Sequence, residues 1–500
     1  MSRAHVLLRS RYSILTLVAW VTVAPAVARA STASGAAPRA RPDAIAGLPG
    51  MRADRIVAPH GFFGALDGVF ARTHERALER LLIPSFSRQT KLPCSACHYQ
   101  FPQLTPFGRL FKLNGYTLTG LTPIVAPDSN ALALAPIPPA SAMIVASATR
   151  TSRSVPGTQN NTTSFPQQAS VFLGGQVTPK IGAFTQFTYT PEDARILVDN
   201  IDVRFATHLS LGERDWLVGV TLHNNPTVQD VWNTTPAWSF PFMSSSVAPS
   251  PNASTLIDGA LAQQVLGLGA YTLVSSTLYA EASMYRSAPQ GASGPLDSTA
   301  VNTTRGVIPY WRVALQHQWP GTYLMVGTYG FSADMYPTGV SGSTNRYTDV
   351  AADAQVEHAL HAMTLIGRAT FIHEQQRLGA FVAESPPLSA TSRASLSTVR
   401  ASVGILQSQR AGINLAYFQT TGTRDTLLYA PAPVSGSRTG RPRTAGEIAE
   451  LVYNPWQNVR LGLQYTVYND FNGARSAYDV AGGRQATDNN SLYLYTWLAF

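Results

Sequence analysis

The residues best suited to chemistry in this 500-residue chain are Cys94 and Cys97, its two cysteines, followed directly by His98. They read Cys-Ser-Ala-Cys-His, which is the attachment pattern of c-type haem. Two thiols three residues apart can each add to one vinyl group at the same edge of a porphyrin, and the next imidazole can then bind the iron. The motif therefore predicts one covalent haem c, with thioethers at both cysteines and His98 as the proximal iron ligand.

A Cys-x-x-Cys pair also occurs in dithiol redox proteins and as half of a zinc site. The chain has no second cysteine pair to complete a zinc tetrad, and no thioredoxin-like alternation of strands and helices surrounds the motif. For a sixth iron ligand, the nearest candidates along the chain are His60, His74 and Met143; methionine would raise the redox potential and histidine would lower it. Ordinary strand or loop positions are expected for the later histidines His223, His317, His358, His361 and His373.

The N-terminus has the features of an export signal. Arginines 3, 9 and 11 form a basic region, residues 12–23 are apolar, and Ala28-Arg29-Ala30 is a cleavage site of small residues. The apolar run is shorter than the ~20 residues that a spanning helix needs. Residues 1–30 are therefore expected to be a signal peptide, which agrees with haem attachment outside the cytoplasm.

The composition of the chain favours a membrane-spanning β-barrel. Charged residues make up 13% and apolar residues 45%, with 20 Tyr, 20 Phe and 8 Trp. This mixture is too polar for a helical membrane protein and too poor in charge for a typical soluble one. Barrel strands alternate apolar lipid-facing residues with polar lumen-facing ones, so a barrel accounts for both values.

Segments with alternating polarity support this interpretation. In 459–467 the odd positions are apolar and the even ones are small or polar, and 201–205, 312–316 and 399–405 repeat the alternation. A soluble sheet with one wet face would give the same local pattern. The chain, however, ends on an alternating strand with Phe500 as its last residue, which resembles the closing strand of bacterial outer-membrane barrels.

Long polar connections alternate with tight turns along the barrel region, as surface loops and periplasmic turns do. The long connections lie near 223–256, 287–306, 333–346, 375–392, 421–444 and 469–490, and the tight turns near 319–321, 407–410 and 454–458. The pattern predicts an antiparallel transmembrane barrel of about 16 strands in the bacterial outer membrane, a size whose lumen holds water or a plug. We expect the 223–256 and 469–490 loops on the outside of the cell.

Five regions follow from these patterns. They are the signal peptide 1–30, a disordered segment at 31–57 that is rich in Ala, Arg, Pro and Gly, a mostly helical or irregular haem c plug at 58–121, a Pro-rich linker at 122–141 and the barrel at 142–500. Forty residues around the haem are too few to bury it, so the barrel lumen is its expected shelter. The aromatic residues expected to pack on the ring are Phe86, Phe101, Phe107, Phe111 and Tyr116.

The haem segment resembles a known family. The match consists of Pro84-Ser85-Phe86-Ser87-Arg88-Gln89-Thr90, the Cys-Ser-Ala-Cys-His motif, Phe101-Pro102, Leu104, Phe107-Gly108-Arg109, Phe111-Lys112 and Gly115-Tyr116. These residues resemble the outer-membrane monohaem cytochrome–porin fusions, best known as iron-oxidising outer-membrane cytochromes, and 224–233 is similar to a barrel segment of that family. The resemblance implies a small haem domain that plugs a sixteen-stranded barrel and carries electrons across the outer membrane. The long stretch ahead of the haem departs from the family.

Two classes of function follow from the sequence. In the first, the protein takes electrons from an extracellular donor, Fe(II) above all, and passes them to a periplasmic c-type cytochrome; as an enzyme it would be an Fe(II):cytochrome c oxidoreductase. In the second, it is a solute-uptake porin with a haem-containing plug or gate. Arg88, Arg109 and Lys112 would balance haem propionates or be solvated at the surface. The net charge is +9, but no clustered basic motif with interleaved aromatics points to nucleic acid.

Overall fold

The structure, a computed structural model, describes residues 84–119, 124–125, 133–134, 139–235, 239–259, 261–288, 294–480 and 483–500. The expected signal peptide, the 31–57 segment and most of the Pro-rich linker lie outside the described residues. So do residues 58–83 and 120–121 of the expected plug, which include His60 and His74. No helix in the described part of the chain is long and apolar enough to cross a bilayer.

Most of the described residues form one closed antiparallel sheet. Seventeen strands make up the ring, and sixteen of them are long, because one is the four-residue strand Val301–Thr304. The long strands are β1 Ala140–Thr151, β2 Thr162–Thr178, β3 Ile181–Thr190, β4 Arg195–Leu211, β5 Arg214–His223, β6 Val265–Val274, β7 Leu278–Ser287, β8 Ile308–Trp319, β9 Thr322–Thr338, β10 Asn345–Leu360, β11 Met363–Arg377, β12 Arg393–Gln407, β13 Ala411–Gly422, β14 Thr444–Trp456, β15 Val459–Asp470 and β16 Ser491–Ala499. The predicted all-β barrel of about sixteen strands is confirmed.

The alternation of side chains separates a lipid face from a lumen face. Along β16, Leu492 and Leu494 are 43% and 52% exposed, whereas the alternating residues Tyr493 and Tyr495 are each at most 1% exposed. Leu266 and Leu268 on β6 and Val313 and Leu315 on β8 are likewise exposed. An outward band of aliphatic side chains around a closed sheet is stable in lipid and not in water. The protein is therefore a bacterial outer-membrane β-barrel.

The two ends of the barrel differ. At one end the connections are tight turns of two or three residues, at 179–180, 212–213, 275–277, 320–321, 361–362, 408–410 and 457–458. The longest connections, 224–264, 288–307, 423–443 and 471–490, are all at the opposite end. The start of β1 and the end of β16 both lie at the turn end, where Phe500 and Ala142 exchange backbone hydrogen bonds of 2.6 and 2.9 Å. In outer-membrane barrels short turns face the periplasm.

Two segments fill the lumen. At the turn end lies the described part of the expected plug, residues 84–119. It contains α1 Ser85–Thr90, α2 Cys94–Cys97, a short antiparallel pair of strands, His98–Gln100 and Gln103–Leu104, and α3 Pro106–Leu113. At the loop end lies the connection 224–264, whose described parts, 224–235, 239–259 and 261–264, we call the inner loop. It contains α4 Pro226–Gln229 and the 3-10 turn Leu256–Asp258. The sequence predicted a surface loop here; instead it folds inwards, because its polar side chains find partners on the lumen wall.

Smaller elements complete the described residues. Among the loops at the loop end of the barrel, α5 Gly379–Ala383 and the 3-10 turn Ala486–Asn489 lie next to the ends of the strands. The pairs Ile124–Val125 and Ala133–Leu134 form a separate two-stranded sheet in the linker region. β1 begins at Ala140, two residues ahead of the expected start of the barrel.

The aromatic inner face of β16 depends on Gly462 of the neighbouring strand. A Cβ atom at Gly462 would lie 2.2 Å from the ring of Tyr495, which donates a hydrogen bond of 2.7 Å to Glu450 and stacks on Tyr493. Gly462→Ala is expected to lower the free energy of unfolding by about 1–3 kcal/mol, as overpacking does. Urea unfolding of the detergent-folded protein measures it. Gly294→Ala is the control, since no heavy atom of the described residues, apart from its chain neighbours, lies within 4 Å of its Cβ position. Equal effects of both substitutions would contradict the packing described for Tyr495.

Candidate functional site

The Cys-Ser-Ala-Cys-His motif forms a single helical turn inside the lumen. α2 spans the two cysteines, and His98 leaves the helix in an extended conformation with its backbone N–H bonded to the Cys94 carbonyl oxygen. Cys94 and Cys97 are 8% and 5% exposed, and His98 is 5% exposed. Residues three apart on a helix share one face, so both sulfurs lie on the same side of the turn. The structure thus brings the three predicted site residues together in a buried position.

The following helix holds this turn in place. Pro106 occupies the first turn of α3, and the Thr105 side chain caps it by accepting the Gly108 N–H at 3.1 Å. The Thr105 hydroxyl also donates to the Ala96 carbonyl oxygen at 2.6 Å. Glycine is required at 108, because a Cβ atom there would lie 2.2 Å from the Cys97 carbonyl oxygen. The close approach of the two helices fixes the motif relative to the rest of the plug.

One side of the motif faces an apolar cluster that joins the plug to the barrel wall. The His98 ring lies 5.0 Å from Phe101, which lies 5.5 Å from Trp497 of β16. The cluster consists of Phe86, Cys94, Phe101, Phe111, Tyr116, Met143, Val145, Phe172, Phe184, Met243, Tyr493, Tyr495 and Trp497. Four of the five aromatic residues predicted to surround the haem belong to it. Phe107 is half-buried and lies outside the cluster, because it falls on another face of α3.

The other side of the plug is bound to the wall by an ion pair. The Arg109 guanidinium donates to both Glu357 oxygens of β10, at 2.6 and 3.1 Å, and Tyr99 donates to the same carboxylate at 2.9 Å. Arg109 also lies 4.2 Å from the ring centre of Tyr323. Burial disfavours the charge, but the Glu357 carboxylate holds the pKa of Arg109 above its ordinary value. Burial and the same carboxylate raise the pKa of Tyr99, so its phenol stays a donor.

The basic residues predicted to balance propionates have protein partners. Lys112 is 2% exposed and donates to the Asp230 backbone oxygen at 3.2 Å. Arg109 is 3% exposed and paired with Glu357, and Arg88 donates to the Ala140 carbonyl oxygen. Surface solvation, the other expectation, therefore does not describe Arg109 or Lys112. Both residues tie the plug to its surroundings.

The inner loop contacts the plug from the loop end. Asn233 accepts the Leu104 N–H at 3.3 Å, and Gln229 accepts from Arg204 of β4 at 3.0 Å. The Asp230 carboxylate organises this part of the loop by accepting the N–H groups of Trp232, Thr234 and Thr235 at 2.8 to 2.9 Å. Burial alone would raise the pKa of Asp230, but Arg312 and these donors hold it below its ordinary value. The inner loop therefore has a defined structure inside the lumen and is bound to both the plug and the barrel wall.

Two methionines share the apolar cluster with Cys94. Met143, predicted as a candidate sixth ligand, is 1% exposed on β1. Met243, on the inner loop, is 2% exposed and its carbonyl oxygen accepts from Gln464 at 2.9 Å. Sequence reasoning missed Met243, because the loop has no periodic pattern that places it inside. His223 lies elsewhere on the wall, bonded to Tyr285 at 2.7 Å.

The environment of the thiols bears on their chemistry. Burial raises the pKa of Cys94 to about 12. Since the thiolate is the reactive form in dithiol exchange, this environment is unlike that of a redox-active pair. Among the described residues, no group of three or more His, Cys, Asp or Glu side chains is arranged so that it could hold a metal ion. Two neighbouring thiols and an imidazole against an aromatic wall suit a flat apolar group that is linked through both sulfurs.

This chain matches no protein-family model and no curated protein. Among solved structures it is similar to the outer membrane channel DcaP of Acinetobacter baumannii, with a TM-score of 0.43 and 9% identity over 72% of this chain and 96% of that one. An anion-selective porin from Comamonas acidovorans gives 0.41 and 10% over 72% and 98%. In-vitro folded OmpT of Vibrio cholerae gives 0.38 and 9% over 72% and 96%. The fold assignment rests on the closed sheet and its outward apolar band.

Neutralising Glu357 is expected to loosen the plug. Glu357→Gln keeps the size of the side chain but leaves the buried Arg109 charge without its partner, which costs about 3–5 kcal/mol. We expect higher ion conductance in planar bilayers and faster proteolysis within residues 84–119. The control is Glu447→Gln, an exposed carboxylate that bonds Asn469 at 2.7 Å. Unchanged conductance and proteolysis in Glu357→Gln would mean that the ion pair does not hold the plug.

Proposed function

We propose that this protein is an electron conduit of the outer membrane, which takes electrons from extracellular Fe(II) and passes them to a periplasmic c-type cytochrome through one covalent haem c. The observation that carries the proposal is the burial of Cys94, Cys97 and His98 against an aromatic wall inside a spanning barrel. A spanning protein is needed for this task because the hydrocarbon layer is ~30 Å thick. Fe(II) is the substrate, and it stays outside the cell.

The residues present fit a haem. Cys94 and Cys97 would form the thioethers, and His98 would bind the iron. When bound, the haem supplies a one-electron carrier whose potential depends on the axial ligands and on burial. Phe86, Phe101 and Trp497 would exclude water from it, since all three belong to the buried cluster around Cys94. Cys94 and His98 would be held in position by the contact of α2 with α3 at Gly108.

The position of the motif along the barrel supports a route to the periplasm. Gln409, in the 408–410 turn, donates to the Ser95 carbonyl oxygen at 3.3 Å, so the motif lies beside the turn end. Lys91, just ahead of it, is exposed. A soluble periplasmic cytochrome would thus need to approach only this end of the barrel. On the other side of the plug, the inner loop contacts it through Asn233, which accepts the Leu104 N–H.

The filling of the lumen favours the conduit over the solute-uptake porin. Fully buried ion pairs line the lumen, among them Arg204–Asp202 at 2.8 Å, Arg460–Glu450 at 3.0 Å and Arg312–Asp353. Gln229 of the inner loop bonds Arg204, and the plug's Phe101 carbonyl oxygen accepts from Arg460. Solute uptake would require these contacts to break. The porin alternative is supported by the size of the barrel. Conductance measurements distinguish the two functions, since a solute-uptake porin would conduct ions freely and a plugged conduit would not.

The conduit predicts direct oxidation of Fe(II). Stopped-flow mixing of the oxidised purified protein with Fe(II), across acid and neutral pH, should show reduction of the haem absorption band. His98→Ala should keep covalent haem, because the thioethers form at sulfur, but alter its spectrum and slow the reduction. Replacing both Cys94 and Cys97 by Ala should abolish covalent haem.

The control reaction uses a small organic reductant in place of Fe(II). Haem that this reductant reduces readily but that stays oxidised with Fe(II) at every pH would contradict Fe(II) as the donor. Purified mature protein with no covalent haem band, expressed with a cytochrome c maturation system, would contradict the whole proposal.

Met143 or Met243 would bind the haem iron together with His98, since both lie in the buried cluster around Cys94. Met143→Leu and Met243→Leu each keep the apolar volume, so the barrel should fold in both variants. One of them should lose the optical signature of methionine-bound ferric haem and have a lower redox potential, and the other should keep both. A potentiometric titration with optical detection measures this. If both variants keep the wild-type spectrum and potential, neither methionine binds the iron, and His60 and His74 are the remaining candidates.

A further inference from the structure

Three arginines lie side by side on three neighbouring strands near the loop end of the barrel. Arg346 of β10 is directly opposite Arg377 of β11, and Arg377 is directly opposite Arg393 of β12. All three side chains are exposed. Residues that face each other across antiparallel strands have Cβ atoms about 4.5–5.5 Å apart. The guanidinium groups therefore form one continuous basic row.

The row faces outward, towards lipid. On β10 the outward positions include Val350, which is 50% exposed; on β11 they include Phe371, 46% exposed; on β12 they include Val399, 36% exposed. Arg346, Arg377 and Arg393 share the parity of these residues, so they lie on the same outer face. Arg346 is four residues from Val350, roughly 13 Å along the strand towards the loops. The row thus lies at the head-group level of the outer leaflet.

Few negative charges of the protein compensate this row. Arg346 is paired with Asp334 of β9 at 2.6 Å, and its side chain is still 50% exposed. Within the part of the chain that the structure describes, the Arg377 and Arg393 side chains have no hydrogen-bond or ion-pair partner. Like charges directly opposite each other destabilise a sheet. A row of this kind is stable when an anion from the surroundings bridges it.

We propose that Arg346, Arg377 and Arg393 bind the phosphate groups of a phosphorylated glycolipid of the outer leaflet. Guanidinium groups bind phosphate oxygens in a bidentate way, and a row of them matches a head group with more than one phosphate. A lipid is favoured over free phosphate because the outward apolar residues below the row, Val350 and Phe371, offer a wall for acyl chains. The site is independent of the haem and of electron transfer.

The test compares the wild type with Arg377→Gln/Arg393→Gln in detergent. Without lipid, the variant should be as stable as the wild type or more stable, because charge repulsion is relieved. Bisphosphorylated lipid A should raise the melting temperature of the wild type and give adducts in native mass spectrometry. Basic residues near a membrane surface contribute about 1 kcal/mol each, so the variant should bind roughly thirtyfold more weakly.

The controls separate the sources of the effect. Arg153→Gln removes a loop-end arginine that is paired with Asp488 at 3.0 Å, and it should bind like the wild type. Equal binding of lipid A by the wild type and the double variant would overturn the proposal. Equal stabilisation by dephosphorylated lipid A would show binding by acyl chains alone, and equal stabilisation by inorganic phosphate at the same phosphate concentration would show a free-anion site; either result would also overturn it.

Discussion

A closed sheet of sixteen long strands encloses a lumen whose inward side chains are largely polar or charged, and these groups need partners where water is excluded. Arg204, Arg312 and Arg460 are fully buried there, each beside a carboxylate of the wall. The plug and the inner loop supply the remaining partners, such as the Phe101 carbonyl oxygen for Arg460. The position of the Cys-Ser-Ala-Cys-His motif follows from this pairing, since the same contacts that satisfy the wall hold the plug.

The plug in turn depends on the barrel for its apolar core. Its described part is 36 residues long, 84–119, which is too small to bury a large apolar group by itself. The cluster around Cys94 is therefore completed by wall residues, including Met143, Phe172 and Trp497. The lumen has a polar side, where Arg109 meets Glu357, and an apolar side, where aromatic rings pack. This division orients the motif relative to the barrel wall.

The sequence was sufficient to predict the barrel, because period-two alternation and regular turns are local properties of the chain. The grouping of Cys94, Cys97 and His98 was predictable for the same reason, as the three lie within five residues. The partner of Arg109 was not predictable, since Glu357 lies 248 residues away along the chain. The burial of Met243 beside Cys94 was not predictable either, since the two residues are 149 positions apart. Such contacts depend on register and on closure of the whole ring. The inward position of the inner loop was not predictable from the sequence. A polar segment without periodicity has the same sequence pattern whether it lies at the surface or in a polar lumen.

The central claim is that electrons, and not iron, cross the membrane through this barrel. Vesicles that contain the reconstituted holoprotein, loaded with an oxidised soluble cytochrome c and a coloured ferrous chelator, test it most directly when Fe(II) is added outside. The account predicts that the enclosed cytochrome is reduced while the chelator stays uncoloured, and that vesicles with the Cys94→Ala/Cys97→Ala protein show no reduction. Coloration of the chelator at the rate at which the cytochrome is reduced, or no reduction at all in wild-type vesicles, would contradict the account.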